Sequence, residues 1–414
     1  MSSSPTPELL SSSAPTVKAA PAERRRDYFF VLLGVPIGVP QCVAAFLLLM
    51  FLGQGLWLAW QSPLREMERA YVQEGLLLLQ RGVVTTDFAR SPLVPLLAAL
   101  PVAHSAPPAG VAGDLSWLRK YPRSWRWETR LPFILIGLLL GCSLWYVSRR
   151  LYGDAGGYIA LAFYAFSPAV VMRAASAQPP IVAAWGAFGL IFTAIAVAHT
   201  LYAPREVLLW NWKRMLLLGF SVLLAVGAQL ALVTLLPAAL AFMLYLVPGR
   251  RRQAIIILGA GCVLGLAMIW ATYDFDGAAV WAALRALHWS EFAPQLFVRG
   301  LTYSLVFRFF LVMPAVLVAL AAALITYALW RRPRFFGVTA PLLVWALLMV
   351  LGIGLPHLGG YNLFFVALPF ALVFLAGVFA DLLETRQSGL VLGVLTGVIL
   401  AHAIFSLGGL LRLR

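Results

Sequence analysis

Acidic side chains are scarce in this chain, with 16 Asp and Glu against 31 Lys and Arg in 414 residues. Charged residues of both signs reach only 11%, whereas a soluble domain carries about 25%, so an ordinary water-soluble globule is excluded. Cysteine is nearly missing: Cys42, Cys142 and Cys262 each stand alone in an apolar run. That spacing builds neither a disulfide framework nor a zinc site, and the three are read as small packing residues. The period-2 alternation of a membrane barrel is absent. So are internal repeats or matching halves, which argues against the common transporter plans. Ionisable groups at mid-membrane are also lacking, since Arg173 and Arg308 fall near the ends of apolar runs.

What is there is apolar. Hydrophobic residues make up 62% of the chain and the mean hydropathy is +0.88. Uncharged runs of about 20 residues recur, each enough to cross a hydrocarbon core of about 30 Å as a helix that satisfies its own backbone. The fold class is therefore all-α, a polytopic helical membrane protein. Residues 1–27 read as a disordered tail rich in Ser, Pro and Ala, closing on Arg24, Arg25 and Arg26. The basic triplet before a long apolar run predicts an uncleaved signal anchor with its N-terminus in the cytoplasm. Residues 28–414 read as a single transmembrane domain.

Spans are expected near residues 29–60, 131–148, 155–172, 178–200, 215–249, 254–272, 302–330, 335–355, 360–380 and 388–410. The run 215–249 is too long for one crossing. The Arg250–Arg252 and Arg331–Arg334 clusters are cytoplasmic only if that run turns near Gly227–Gln229 and crosses twice. That makes about eleven helices, with 16 of the 31 Lys and Arg on the cytoplasmic side and nine of the 16 acids outside. The formal charge of +15 suits anionic lipid headgroups. Basic residues scattered over short loops do not suit nucleic acid. Two external loops are long, 61–130 and 273–301. The first is too long to be structureless and predicts a helix over 66–81, a short apolar helix over 92–103 and a flexible connector, SAPPAGVAG, at 105–113.

The first external loop opens with SPLREMERAYVQEGLLLL (62–79), whose first charge, Arg65, follows 37 residues without one. A carboxylate half desolvated at a membrane boundary can serve as a general base. Glu68 is the first candidate and Glu66 the second. On a helix Glu68 shares a face with Tyr71 and with Glu74 or Gly75. The alternative for Glu68 is a helix-start charge paired with Arg65. The segment WLRKYPRSWRWETR (117–130) could stack on a glycan or anchor at the interface. Asp274 and Asp276 are the two carboxylates that could hold a divalent cation, or else form a solvated turn. No other cofactor is implied.

The order of these pieces resembles the GT-C superfamily of membrane glycosyltransferases. Within it, the likeness is to the protein O-mannosyltransferase and aminoarabinose-transferase branch, which uses polyprenyl-phosphate sugars. The acidic motif after the first span falls on Met67-Glu68-Arg69-Ala70-Tyr71. The Lys- or His-Pro-Pro-Leu element falls on Arg90-Ser91-Pro92-Leu93, followed by AALPV at 98–102. RLPFILIGLLLG (130–141) and RRLYGDAGGYIALAFYAFSP (149–168) resemble the second and third spans, and LPHLGGYNLFFVALPFALVFLAG (355–377) the late helix. The family's first Asp falls on Met67, its second acidic position on Gln178 and its late basic residue on Gly360. The resemblance implies sugar transfer from a polyprenyl-phosphate donor to a lipid, glycan or protein acceptor on the outer face of a membrane, such as a bacterial inner membrane. It implies Glu68 or Glu66 as base, and Tyr71, Arg90, Arg173, His357 and Tyr361 around the substrate. The departures leave a second expectation open, a catalytically degenerate relative that binds lipid-linked sugar. A transporter is a third.

Overall fold

A straight helix over Leu131–Ala165 would run about 52 Å, well beyond a bilayer's hydrocarbon core, and in the protein it folds back on itself. The turn is Gly153, at φ 80° and ψ −174°, a backbone region essentially reserved for glycine. Past it the two arms run antiparallel. Tyr164 Oη donates to the carbonyl of Gly137 at 2.6 Å. An ion pair between Arg149 Nε and Asp154 Oδ1 (2.5 Å) brackets the turn. The LYGDAGG sequence thus makes the reversal expected between residues 148 and 155. No atom lies near the space a Cβ on Gly153 would fill, so Gly153→Ala is expected to cost about 1–3 kcal/mol through backbone strain alone. Thermal unfolding in detergent checks this, with Gly249→Ala, an unstrained open glycine, expected to be near neutral.

The computed structural model describes residues 28–32, 35–82, 91–106, 121–201, 212–287, 312–330, 335–354, 360–385 and 387–412. The tail expected over 1–27 and the connector over 107–113 lie outside them. Two units are distinguished, Met1–Val43 and Ala44–Arg414. In the first, strands β1 (Tyr28–Leu32) and β2 (Val35–Gly38) pair antiparallel. The span expected from residue 29 therefore becomes helical only at Val39. Pro36 would break a helix interior, while Pro40 sits harmlessly in the first turn of α1 (Val39–Gln61). Gly38 N–H donates back to Gln41 Oε1 at 3.1 Å and fixes that start. Every other described element is helical.

In chain order these are α2 (Glu66–Arg81), α3 (Leu93–Ala99) with a 3₁₀ extension over Leu100–Ser105, and α4 (Trp125–Glu128). The reversed helix Leu131–Ala165 is α5, followed by α6 (Pro168–Ala174), α7 (Pro179–Thr200) and α8 (Trp212–Ala228). Next come α9 (Leu235–Leu246), α10 (Arg251–Thr272), α11 (Gly277–Arg285) and α12 (Pro314–Leu329). The last are α13 (Phe335–Gly354), α14 (Gly360–Leu383) and α15 (Ser388–Arg412). Among the described residues seven stretches are long and apolar enough to cross a membrane, with shorter apolar helices at Leu93–Ser105, Leu230–Leu246 and Pro314–Leu329.

The run 215–249 turns where the positive charges require. Gln229 is extended (φ −147°, ψ 102°) between α8 and the turn leading to α9. Arg214 at the start of α8 donates to the carbonyl of Ala196 at 3.3 Å, and Arg250 after α9 donates to that of Leu201. Both therefore return to the C-terminal end of α7. The α7–α8 crossing is close because Gly186 faces backbone: a Cβ there would lie 2.1 Å from Ala225 N. Helix α14 is the centre of the bundle, buried along nearly its whole length. Phe370 meets Phe188 and Phe192, and Phe374 meets Tyr327. Cys142 and Cys262 are half-buried free thiols that fit the packing role, whereas Cys42 is exposed and does not.

Candidate functional site

The first helix ends at Gln61, and Pro63 and Leu64 carry the chain into α2. Glu68 is the third residue of α2, so its side chain can reach back to the free amides at the helix start. It does, accepting Arg65 N–H on Oε2 at 2.8 Å. The other partners come from far along the chain. Arg130, the residue before α5, donates Nε to Oε1 at 2.8 Å and Nη2 to Oε2 at 2.6 Å. The Ala177 amide, in the turn between α6 and α7, donates to Oε1 at 2.9 Å. Glu68 is 0% exposed and Arg130 1%.

Arg130 is equally committed. Its Nη1 reaches the carbonyls of Ala59 and Ser62 and the Ser62 hydroxyl, at 3.1, 2.8 and 2.9 Å. Its Nη2 also reaches the Pro63 carbonyl at 2.9 Å. A bidentate guanidinium–carboxylate pair is among the strongest of charge-assisted contacts. This one ties the end of α1, the start of α2, the start of α5 and the α6–α7 turn into one buried knot. The expected Arg65 pairing is replaced: Arg65 supplies its backbone amide, and its side chain is exposed.

A carboxylate has about four lone-pair sites, and all four of Glu68 are filled, two on each oxygen. No site is left to accept a proton from a bound hydroxyl, so in this arrangement Glu68 positions other elements. Glu66, in the same turn, is exposed, as is Met67 at 43%. Tyr71 is buried beneath α2, on the face it shares with Glu68. Arg173, half-buried at the end of α6, donates Nη1 to Gln178 Oε1 at 2.7 Å. Gln178 follows directly on Ala177, whose amide holds Glu68. The structure therefore brings Glu66, Glu68, Tyr71, Arg173 and Gln178 to one end of the bundle. Arg90 and His357 lie outside the described residues. Tyr361 is in the first turn of α14, and its side chain is outside them.

The rest of the cap is layered on this knot. Tyr121 Oη accepts Leu64 N–H at 3.1 Å, and Trp125 Nε1 donates to Ser105 Oγ at 3.1 Å. Trp125 is thus a buried anchor within the aromatic–arginine segment. Gly75 lets α2 and α3 touch, since a Cβ there would meet the Pro95 carbonyl oxygen at 2.1 Å. The two carboxylates considered for a cation point to different partners. Asp276 Oδ1 accepts the Ala278 and Ala279 amides at 2.8 and 3.2 Å, capping α11. Asp274 Oδ2 lies beside Gly82, the C-cap of α2. Among the described residues no group of three His, Cys, Asp or Glu gathers as metal ligands would. Burial pushes the Tyr273 phenol above its ordinary value, and the Ser91 hydroxyl beside it acts in the opposite sense.

Arg130 and the Ala177 amide were not legible as partners of Glu68. An Arg just before an apolar span ordinarily reads as a snorkelling residue, and a backbone amide 109 residues away carries no residue-type signal. Buried polar side chains on the last helix also went unread. His402 Nε2 and Ser167 Oγ both lie at the Phe163 carbonyl, at 3.3 and 2.6 Å. Gln54 Nε2 donates to that of Ala165 at 3.2 Å. These groups serve carbonyls at the Ser167–Pro168 break.

No protein-family model matches the chain, and no curated protein sequence does. Solved structures do. The archaeal oligosaccharyltransferase AglB from Archaeoglobus fulgidus, in complex with an inhibitory peptide and a dolichol-phosphate, superposes with a TM-score of 0.56 at 12% identity, covering 90% of this chain and 56% of AglB. The apo form of the same enzyme gives 0.55 at 12% identity, with 89% and 55% covered. The chain thus spans a little over half the length of the enzyme it matches. ArnT from Cupriavidus metallidurans in the apo state superposes only loosely, with a TM-score of 0.34 at 13% identity and 81% and 76% covered. The order of helices, the capped end of the bundle and the superposition on the oligosaccharyltransferase together give the chain a GT-C-like fold.

Proposed function

We propose that this chain transfers a sugar from a polyprenyl-phosphate carrier to an acceptor at the Glu68 end of its bundle. The observation that carries the reading is the Glu68–Arg130–Ala177 knot. It seats the α2 cap over the bundle end where Arg173 and Gln178 turn, in a fold shared with an enzyme solved with dolichol-phosphate. In the reaction the acceptor oxygen attacks the anomeric carbon, the bond from that carbon to the phosphate oxygen breaks, and the polyprenyl phosphate leaves. The acceptor proton passes to a carboxylate and on to water. Because the acceptor sites of Glu68 are filled, Glu66 is the base in this reading and Glu68 the positioning residue. Arg173 is the described cation for the leaving phosphate, and the family resemblance adds Arg90 to that role. Tyr71, His357 and Tyr361 keep the substrate-binding roles that the family resemblance implies.

The Glu68 end is outward in this reading, with the N-terminus cytoplasmic in a bacterial inner membrane. Arg149, Arg150, Arg214 and Arg250 gather at the opposite end, as the positive-inside rule asks of the cytoplasmic side. A second reading, binding of lipid-linked sugar without turnover, is favoured by Met67 in the family's Asp position and by the saturated Glu68.

Purified protein in lipid, given a panel of polyprenyl-phosphate sugars, separates the two. Turnover in wild type that falls by about 10²-fold or more in Glu66→Gln, the lower end of what a general base contributes, supports the enzyme and its base. Loss in Glu68→Gln with Glu66→Gln unaffected returns the base to Glu68. Donor binding without turnover supports the second reading, and neither binding nor turnover overturns both.

A further inference from the structure

We propose that the segment Tyr273–Arg285 lies in the plane of the lipid interface and anchors the cap at a fixed depth. The lipid-facing side of α10 carries Ile256, Val263, Leu266 and Trp270, all exposed and in line along the helix. That apolar stripe continues past the helix end. The chain turns through two consecutive residues in the left-handed region, Asp274 (φ 53°) and Phe275 (φ 60°). Neither is glycine, and a bulky residue rarely takes this conformation. The turn sets Phe275 outward, 60% exposed, edge-on against Trp270 at 5.3 Å.

Helix α11 then begins, capped by Asp276. Its Ala279 and Ala283 are buried, as is Leu287 just beyond it, so one side faces protein. The opposite side carries Ala278, Trp281 and Arg285. Trp281 is 57% exposed, with the Arg285 guanidinium 5.0 Å over its ring.

A helix facing water would put polar residues on that side. Aromatic rings with one adjacent cation are the composition of a membrane-interface belt, where the ring sits at headgroup level and the cation meets anionic phosphate. Continuity with the lipid-facing stripe of α10 and the charge of Arg285 both name lipid as the occupant. The anchor reaches the cap through Asp274, whose carboxylate lies beside Gly82, and through Tyr273, buried beside Ser91. This goes beyond the proposed transfer activity and does not depend on it.

The test uses the full chain in nanodiscs of phosphatidylethanolamine and phosphatidylglycerol. In a background of Cys42→Ala, Cys142→Ala and Cys262→Ala, one cysteine is placed at a time by Ala278→Cys, Trp281→Cys or Arg285→Cys and spin-labelled. Collision with oxygen against a water-soluble nickel chelate reads the depth of each label. All three at one depth within the interface is the expected result. Ala278→Cys keeps both aromatic anchors, so the proposal does not hang on a variant that removes one. Nickel collisions dominating at all three positions would place the helix in water. A depth step of about 10 Å between positions 278 and 285, seven residues of helical rise, would stand it upright. Labels shielded from both reagents would mean that protein covers this face. Each of these three outcomes overturns the proposal.

Discussion

Arg130→Met is expected to destabilise the protein by about 3–5 kcal/mol, the usual cost of removing one partner of a buried ion pair. The remaining carboxylate of Glu68 would keep two amide donors and lose two guanidinium contacts in a site closed to water. The carbonyls of Ala59, Ser62 and Pro63 would lose their donor at the same time. Glu68→Gln should cost less in volume but still sets a side-chain NH₂ against donors. The paired variant Glu68→Leu/Arg130→Met should recover part of the loss, because burying two apolar groups avoids the desolvation that the ion pair carries. Thermal unfolding of Arg130→Met, Glu68→Leu and the paired variant in detergent, read as a double-mutant cycle, tests this. A loss below about 1 kcal/mol in Arg130→Met, the range of solvent-exposed pairs, would show that the knot is open to water. The same variants separate position from chemistry: if Glu68 acts through position, sugar transfer should fall in step with the stability of the cap in both single variants.

Gly75→Ala is the second large effect expected. The new methyl would sit 2.1 Å from the Pro95 carbonyl oxygen and 2.6 Å from the Ala99 methyl. Neither can step aside without moving the backbone of α3. Overpacking of this kind costs typically about 1–3 kcal/mol. Here the strain falls on the contact that holds the cap together, so α2 and α3 should separate locally before the bundle melts. Amide exchange across 66–81 and 93–99 should accelerate in Gly75→Ala while α14 stays protected. Uniform acceleration would mean that cap and bundle open as one unit. Unchanged exchange would mean that α3 shifts to make room.

Residues within one stretch of chain were the legible part. Run length and absent charge located the helices, because a segment that crosses hydrocarbon must satisfy its own backbone and show apolar side chains. The turn near Gly227–Gln229 was legible in Arg250–Arg252, since a basic cluster and the length of the preceding run together leave one arrangement. The helix over 66–81 was legible from the same stretch that places Glu68. The start of α1 was less so, because Tyr28–Gly38 is as apolar as the helix it precedes and only Pro36 marks the difference.

The sequence alone determined that this is a helical membrane chain with a capped end, and it singled out Glu68, Glu66 and Arg173 as the charges worth attention. Those are statements about composition and spacing along the chain, which act through local backbone and solvent. The tertiary structure alone decided what Glu68 does. Its partners Arg130 and the Ala177 amide lie 62 and 109 residues away, and only packing shows that all its acceptor sites are filled. The same holds for Gly75 against Pro95 and for Phe275 turned outward, since a close approach or an exposed face is a relation between distant segments. Such relations depend on how helices settle against one another, which the pattern within any single helix does not contain.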